Sequence, residues 1–324
     1  MPMAENAAIK DMHKGAIILA LLLLVSYAAS FGASYVWFCD ILRHFIFQYF
    51  IGALILGVFF TVRKSKLWGS LMVLVALSTA YETASITHRP KPVQAQTSGK
   101  TLKIAHYNKW MMQPNQETIV DWIKHEAPDI LVIQEPDPKM LEQIKTLVDY
   151  PYLVEIVPQN PFGFILISKY PITEHTIQKT PQYVFNNIYG HVVIDIPDQA
   201  PISLYTAHPV PPGNASLSQQ RNSDLATLST IIKNDPHSNI IFMGDFNITP
   251  YSPFFKQLLR QTGLHNEYTT LLPPPTWSAR YYDYIFQIPI DHILHKGDLQ
   301  LIDKQRGPSM GSDHHSLIAI FILE

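Results

Sequence analysis

The chain has 324 residues, 47% of them hydrophobic, a formal charge of −2 and a single cysteine, Cys39, which excludes an intrachain disulfide and any cysteine-based metal site. Charge is unevenly spread: residues 1–97 carry eight Lys/Arg and four acids, whereas the remainder carries 22 acids against 16 Lys/Arg, a net of −6. That sign argues against a module that grips DNA non-specifically, because phosphate neutralisation supplies most of such affinity.

Ala16 to Phe38 holds no charged side chain, which is long enough to predict a helix that crosses a bilayer. It exceeds a signal-peptide apolar core, and two further spans follow, Phe45–Val62 and Leu67–Ile86. The only charge within the third, Glu82, falls in its last turn, where it is expected at the interface and solvated. Lys10 and Lys14 precede the first span, and Arg63, Lys64 and Lys66 separate the second from the third. The intervening loop has only Arg43, beside Asp40. This bias puts the N-terminus in the cytoplasm and the C-terminal region outside it, as in a bacterial inner-membrane protein with a periplasmic domain. Three parts are thus expected: a membrane region over residues 1–89 with three transmembrane helices, a Pro/Gln/Ser/Gly linker over 90–99, and a folded domain over 100–324.

From Thr101 the pattern changes to short apolar runs between turn signals. Leu102–Ala105, Ile130–Ile133, Phe164–Ile167, His191–Ile196, Ile202–Tyr205, Ile240–Met243, Ile290–Leu294 and Leu317–Phe321 read as strands. Thr118–Lys124, Met140–Val148, Leu217–Lys233 and Pro253–Gln261 read as helices. Many strands with few helices predict an α/β sandwich with two sheets in the middle. A doubly wound parallel sheet is the alternative, but no glycine-rich phosphate loop stands where it would need one.

The polar residues fall at strand ends. Asn108 follows the first strand, Gln134-Glu135 the second, His208 the run Leu204–Ala207, and Gly244-Asp245-Phe246-Asn247 the run Ile240–Met243. Asp291-His292 opens a strand, and Ser312-Asp313-His314-His315 precedes the last one. Each element has a plain reading alone, since Gly, Asp and Asn form turns and an acid before proline often caps a helix. Six strand ends that all carry acid, amide or imidazole point instead to one site. Glu135, Asp245, Asp291 and Asp313 with Asn108 and Asn247 are oxygen donors suited to a hard cation such as magnesium, and His208 and His314 can carry protons near neutrality. Phosphoester hydrolysis needs a charge-neutralising metal, an oriented water and a proton route, and each has a candidate here.

With these motifs the chain resembles the endonuclease/exonuclease/phosphatase superfamily over roughly residues 100–323. The resemblance also takes in Gly163–Ile172, read as one strand, and Thr206-Ala207-His208. It implies a four-layer α-β-β-α sandwich of two mainly antiparallel sheets and a divalent-metal-dependent phosphoric ester hydrolase. It implies that Glu135 is the principal metal ligand with Asn108 beside it, and that Asp313 is a further metal-site carboxylate. The implied metal is magnesium, with manganese or calcium as alternatives. His314 is implied to contact the scissile phosphate or act as general base, oriented by Asp291. Asp245 is implied to activate water or protonate the leaving group, Asn247 to hold a phosphate oxygen, and His208 to be the second imidazole. His292 and His315 read as supporting residues. Where family members carry an arginine on the strand before Thr-Ala-His, this chain reads Tyr189-Gly190-His191-Val192-Val193-Ile194. Expected substrates are nucleic acid or a phospholipid or sugar-phosphate headgroup, beside the lipid bilayer itself. The alternative function is a catalytically inactive, membrane-tethered binding protein of the same fold.

Overall fold

The computed structural model describes residues 2–90, 99–113, 116–180, 187–279 and 286–323, with side chains from Lys10 onward. Residues 91–98 of the expected linker lie outside the described residues. The chain divides into two compact units, residues 1–86 with 251–253, and residues 87–250 with 254–324.

The first unit is helical: α1 (Pro2–Ser30), α2 (Trp37–Arg43), α3 (Ile46–Val62) and α4 (Lys66–Ile86). Two helical stretches, Lys10–Ser30 and Lys66–Ile86, are long and apolar enough to cross a membrane, and the α2–α3 pair, bent by 62°, makes a third if counted as one span. The expected first span over 16–38 is not one helix. It ends at Ser30, and Phe31–Tyr35 form hydrogen-bonded turns in which Gly32 accepts from the Tyr35 and Val36 amides before α2 begins. Small residues let the helices approach closely, as where Gly57 of α3 faces Met72 of α4. Glu82 is not solvated as expected. Its carboxylate pairs with Arg43 and accepts from Tyr27 Oη at 2.7 Å, with only about a tenth of either charged side chain exposed. A carboxylate among apolar helices is costly unless paired, and Arg43 supplies the partner.

The second unit alternates strands and helices. In chain order these are β1 (Lys100–Asn108), α5 (Glu117–Glu126), β2 (Ile130–Gln134), α6 (Pro138–Leu147), β3 (Tyr152–Ile156), β4 (Phe164–Ser168), β5 (Ile172–Lys179) and β6 (Ile188–Ile194). Then come β7 (Ile202–Ala207), α7 (Ala215–Lys233), β8 (Asn239–Asp245), α8 (Pro253–Thr262), β9 (Trp277–Ser278), β10 (Gln287–Ile288), β11 (Asp291–Lys296), β12 (Leu299–Arg306) and β13 (Leu317–Leu323). One sheet has the order β12-β13-β1-β2-β4-β3 and the other β11-β8-β7-β6-β5, with a β9–β10 hairpin apart. Each large sheet holds one parallel pair, β1·β2 and β7·β8, and is otherwise antiparallel. The parallel pairs need crossovers, which α5 and α7 supply. The alternative of a doubly wound parallel sheet is thereby set aside.

Layering follows from alternation along the strands. Leu102, Ile104, Val132 and Leu166 of one sheet pack against Val192, Leu204, Ile241 and Met243 of the other. The opposite face of the first sheet (Ala105, Leu131, Ile133, Ile165) covers Ile119, Ile123 and Ile144 of α5 and α6. The opposite face of the second (Tyr205, Ile240, Phe242) covers Leu225, Leu228 and Phe255 of α7 and α8. Helix starts are locally encoded: Asp137 caps α6 by accepting from Met140 N with Pro138 in its first turn, and Asn214 caps α7 by accepting from Leu217 N.

This topology gathers the strand ends. Parallel β1 and β2 finish side by side, as do β7 and β8. Antiparallel β13 starts beside the end of β1, and antiparallel β11 starts beside the end of β8, where Asp291 lies opposite Asp245. The expected single strand over Gly163–Ile172 is two, because the chain turns at Lys169–Pro171 and β5 joins the other sheet.

Candidate active site

Asn108, fully buried at the end of β1, donates from Nδ2 to Glu135 Oε1 at 3.0 Å and to Asp245 Oδ2 at 3.2 Å. One amide thus touches both sheets. Its Oδ1 accepts from Trp110 N at 3.0 Å, so the loop after β1 folds back and Met111 N donates to Glu135 Oε2 at 2.9 Å. Glu135 and Asn247 both hold left-handed backbone (φ 56° and 50°). Bulky residues seldom adopt that conformation, and strain of this kind clusters at functional sites.

Asp245 is the hub. Its Oδ1 accepts from Asn247 N at 2.9 Å, and its Oδ2 lies 3.4 Å from His208 Nε2 and 3.5 Å from His314 Nε2. His314 Nδ1 lies 2.9 Å from Asp291 Oδ2, and His208 Nε2 is 3.9 Å from Glu135 Oε1. Asn247 Nδ2 donates to the Pro209 carbonyl at 3.0 Å. Seven of the eight expected residues (Asn108, Glu135, His208, Asp245, Asn247, Asp291 and His314) therefore form one contact network. The eighth, Asp313, follows Ser312, whose hydroxyl donates to the Asn108 carbonyl at 2.9 Å. Its own carboxylate accepts from the Trp277 indole N–H at 3.0 Å.

The electrostatics are set by burial and charge together. Burial would hold the His314 imidazole neutral, but Asp291 and Asp245 outweigh it and push its pKa up to about 10. Burial would raise Asp245, yet His314 and His208 hold its carboxyl well below the usual range. His208 is likewise raised against its own burial by Asp245 and Glu135. The donor atoms of Asp245, Asp291 and His314 lie within 4.8 Å of one another, a spacing that could also hold an ion. We read this group as a charge-paired relay, because each member already faces an opposite charge. Glu135 with Asn108 is the oxygen pair at its edge.

Further residues lie beneath the eight expected ones. Gln134 donates from Nε2 to the Ala207 carbonyl at 2.8 Å, so its Oε1 is the acceptor from Asp245 N at 2.8 Å and from His106 Nε2 at 3.1 Å. His106 Nδ1 then faces Asp291 Oδ1 at 3.4 Å. His106 stands two residues before Asn108 on β1 and shares its face, a signal the sequence carries. Gly244 makes room here: a Cβ on it would sit 2.1 Å from the Ala207 carbonyl oxygen and 2.7 Å from Gln134 Nε2. Buried Arg221 of α7 donates to the Asn247 carbonyl at 3.0 Å, and buried Lys109 pairs with Asp137 at 2.8 Å.

His292 and His315 lie outside the network. His292 Nε2 donates to the Ile248 carbonyl at 2.8 Å and its ring packs on Phe255 and Phe246. His315 Nδ1 lies 3.0 Å from the Gly307 carbonyl. Burial drives the His292 pKa from 6.5 down to about 3. Between those values the unfolded chain binds the extra proton, so this group's contribution is complete above about pH 6.5 and is lost as pH falls toward 3. His292→Phe is expected to flatten the acid limb of a Tm-against-pH curve over that window. An unchanged limb would place the acid sensitivity elsewhere. On β6, His191 stacks on Tyr205 with its Nε2 2.8 Å from Ser203 Oγ.

Two sheets with these polar ends define a known class. Residues 105–314 match the Endonuclease/Exonuclease/phosphatase family. The chain belongs to that family. No curated protein sequence matches it significantly. Among solved structures, D. rerio TDP2 complexed with single strand DNA product is similar at 18% identity and a TM-score of 0.57, covering 68% of this chain and 99% of that one. Truncated Caenorhabditis elegans TDP2 gives 14% and 0.56, covering 68% and 98%. Sphingomyelinase C from Streptomyces griseocarneus gives 17% and 0.50, covering 68% and 99%. At these identities the likeness is one of fold.

Proposed function

We propose that this chain is a membrane-anchored, divalent-metal-dependent hydrolase of phosphoester bonds. The observation that carries the reading is the single network in which Asn108 bonds both Glu135 and Asp245, and Asp245 faces both His208 and His314. The donor chemistry fits a hard cation. Glu135 spends two of its roughly four lone-pair sites on N–H donors, leaving oxygen free for an ion beside the Asn108 amide. Glu135 and Asn108 are the residues that would hold it, with Asp313 as a further carboxylate. A bound magnesium, manganese or calcium would supply a Lewis acid for the phosphoryl oxygens.

The other roles follow from position and charge. His314, kept protonated by Asp291, presents Nε2 toward Asp245 and so offers a positive hydrogen-bond donor to a phosphate oxygen. Asp245, kept ionised between two imidazoles, is the acceptor for a water proton. His208 carries a proton on the other side of Asp245 and is placed to deliver it to the leaving oxygen. Asn247 presents its amide at the rim, its backbone held by Arg221. The inactive-binder alternative finds no support in a network this complete.

Substrates of two kinds suit such a site, nucleic acid and a lipid or sugar-phosphate headgroup. The TDP2 relative was captured with single strand DNA product, and the sphingomyelinase C relative bears the name of a lipid hydrolase. A metal-dependent screen of the full chain in detergent tests the reading. It would span a chromogenic phosphodiester and monoester, single- and double-stranded DNA, sphingomyelin and inositol phosphates. Failure on all of them with each of the three metals would leave the binding-protein alternative.

The anchor is residues 1–89, and the catalytic domain is residues 100–324. With Lys10 and Lys14 before the expected first span and Arg63, Lys64 and Lys66 between the second and third, the domain lies outside the cytoplasm, as at the periplasmic face of a bacterial inner membrane. A reporter that works only in the periplasm, fused after Leu323, is expected to be active. Signal from a cytoplasm-only reporter at the same position would reverse the orientation.

A further inference from the structure

At the far end of β11 from Asp291 lies a second cluster of ligand-type side chains. His295 is four residues further along the strand, roughly 13 Å at a strand rise of about 3.4 Å per residue. It pairs in antiparallel register with His265, and Glu267 pairs in parallel with His88. Bridge partners share a face, and alternate residues of an extended segment share one too. Burial agrees with that alternation: Leu264, Asn266 and Tyr268 are buried, whereas His265 is exposed and Glu267 half-buried. His88, His265, Glu267 and His295 thus present three imidazoles and one carboxylate on one face.

The cluster opens on a cleft of about 240 Å³ lined by His265, Glu267, His295 and Asp298. His295 is 4% exposed, and its Nδ1 has no hydrogen-bond partner. Its Nε2 lies 3.4 Å from Glu267 Oε2, close to the separation of two donors that share an ion about 2.0–2.2 Å from each. The His265 and His295 ring centroids are 5.9 Å apart, and His265 and His88, being exposed, can turn about their side-chain bonds toward a shared ion. A buried ring nitrogen left unsatisfied, as Nδ1 is, costs folding energy unless something binds it.

We propose that His265, Glu267 and His295, with His88 beside them, bind a borderline divalent transition metal such as zinc. Nitrogen-rich donors select such ions over magnesium, so this site and the oxygen site at Glu135 would take different metals. Bound there, the ion clips His88, near the start of the second unit, to β11. One charge opposes it: Lys304 is buried on the other face, its Nζ donating to Asn266 Oδ1 at 2.9 Å and to the Ile293 carbonyl at 3.0 Å. Burial brings that ammonium down to about 7, so the opposition fades as pH rises above neutrality. The plain alternative is that Glu267 and His295 form only an ion pair that ties the segment after α8 to β11.

Cobalt(II) is a spectroscopic probe for the site. Metal-stripped full chain in detergent would be titrated with it in excess magnesium, which occupies oxygen sites. The wild type is expected to show a visible ligand-field band, to bind one equivalent more than His265→Ala, and to lose the band to added zinc. His265 is exposed, so its removal leaves packing intact. The variant should bind at least about 10–100-fold more weakly, the loss that even an outer-shell partner causes. Zinc should also raise the Tm of the wild type and not of the variant. Identical isotherms for the two proteins, or a band suppressed by magnesium, would overturn the proposal in favour of the ion pair.

Discussion

Glu135→Ala is expected to reduce metal-dependent turnover to background while the domain stays folded. The carboxylate is only partly buried and its partners are N–H groups, Asn108 Nδ2 and Met111 N, which water can serve once the side chain is gone. On the proposed function, what would be lost is the carboxylate that holds the ion, and with it the Lewis acid. The measurement is turnover against metal concentration on a substrate confirmed with the wild type, alongside Tm. If magnesium still activates the variant with an unchanged midpoint, Glu135 is not the ligand, and the Asp245–Asp291–His314 cluster becomes the alternative seat for the ion.

The second large effect is expected at His314. His314→Ala should lower kcat by about 10²–10⁴-fold, the usual contribution of a positioned proton-carrying group. Asp291→Asn should fall within the same range, since it removes the charge that holds His314 protonated and oriented from Nδ1. The double variant should be little worse than the worse single one, because both changes act on one transition-state contact. Strictly additive losses would mean that Asp291 works by a route other than His314. The neighbouring His106, which faces the other oxygen of the same carboxylate, would be the first place to look.

Much of this site was legible because polar residues at the ends of apolar runs are unusual, and a sheet makes such ends converge. The two parallel pairs were hidden, since nothing local in β1 or β7 says which neighbour will lie beside it. Strand β5 was missed for a plain reason: at the sheet edge its residues are mostly exposed, so Ile172–Lys179 lacks the apolar alternation that marks a half-buried strand. Strand β12 was obscured by the irregularity between Leu301 and Asp303, which breaks its period. His106 was passed over although it shares the face of Asn108 on β1, whereas Arg221 was invisible as a site residue because its partner Asn247 is 26 positions away in the chain. Solvation of Glu82 was misjudged for the same reason: Arg43, its partner, is 39 positions distant.

That last pair bears on how the helical region is made. Arg43 emerges from synthesis well before Glu82, so for the interval between them its guanidinium lacks the partner that it holds in the folded unit. Tyr27, Arg43 and Glu82 come together only once α4 is in place. The last helix is therefore the lock on the ones before it, and a chain cut short of Glu82 would leave Arg43 without this partner.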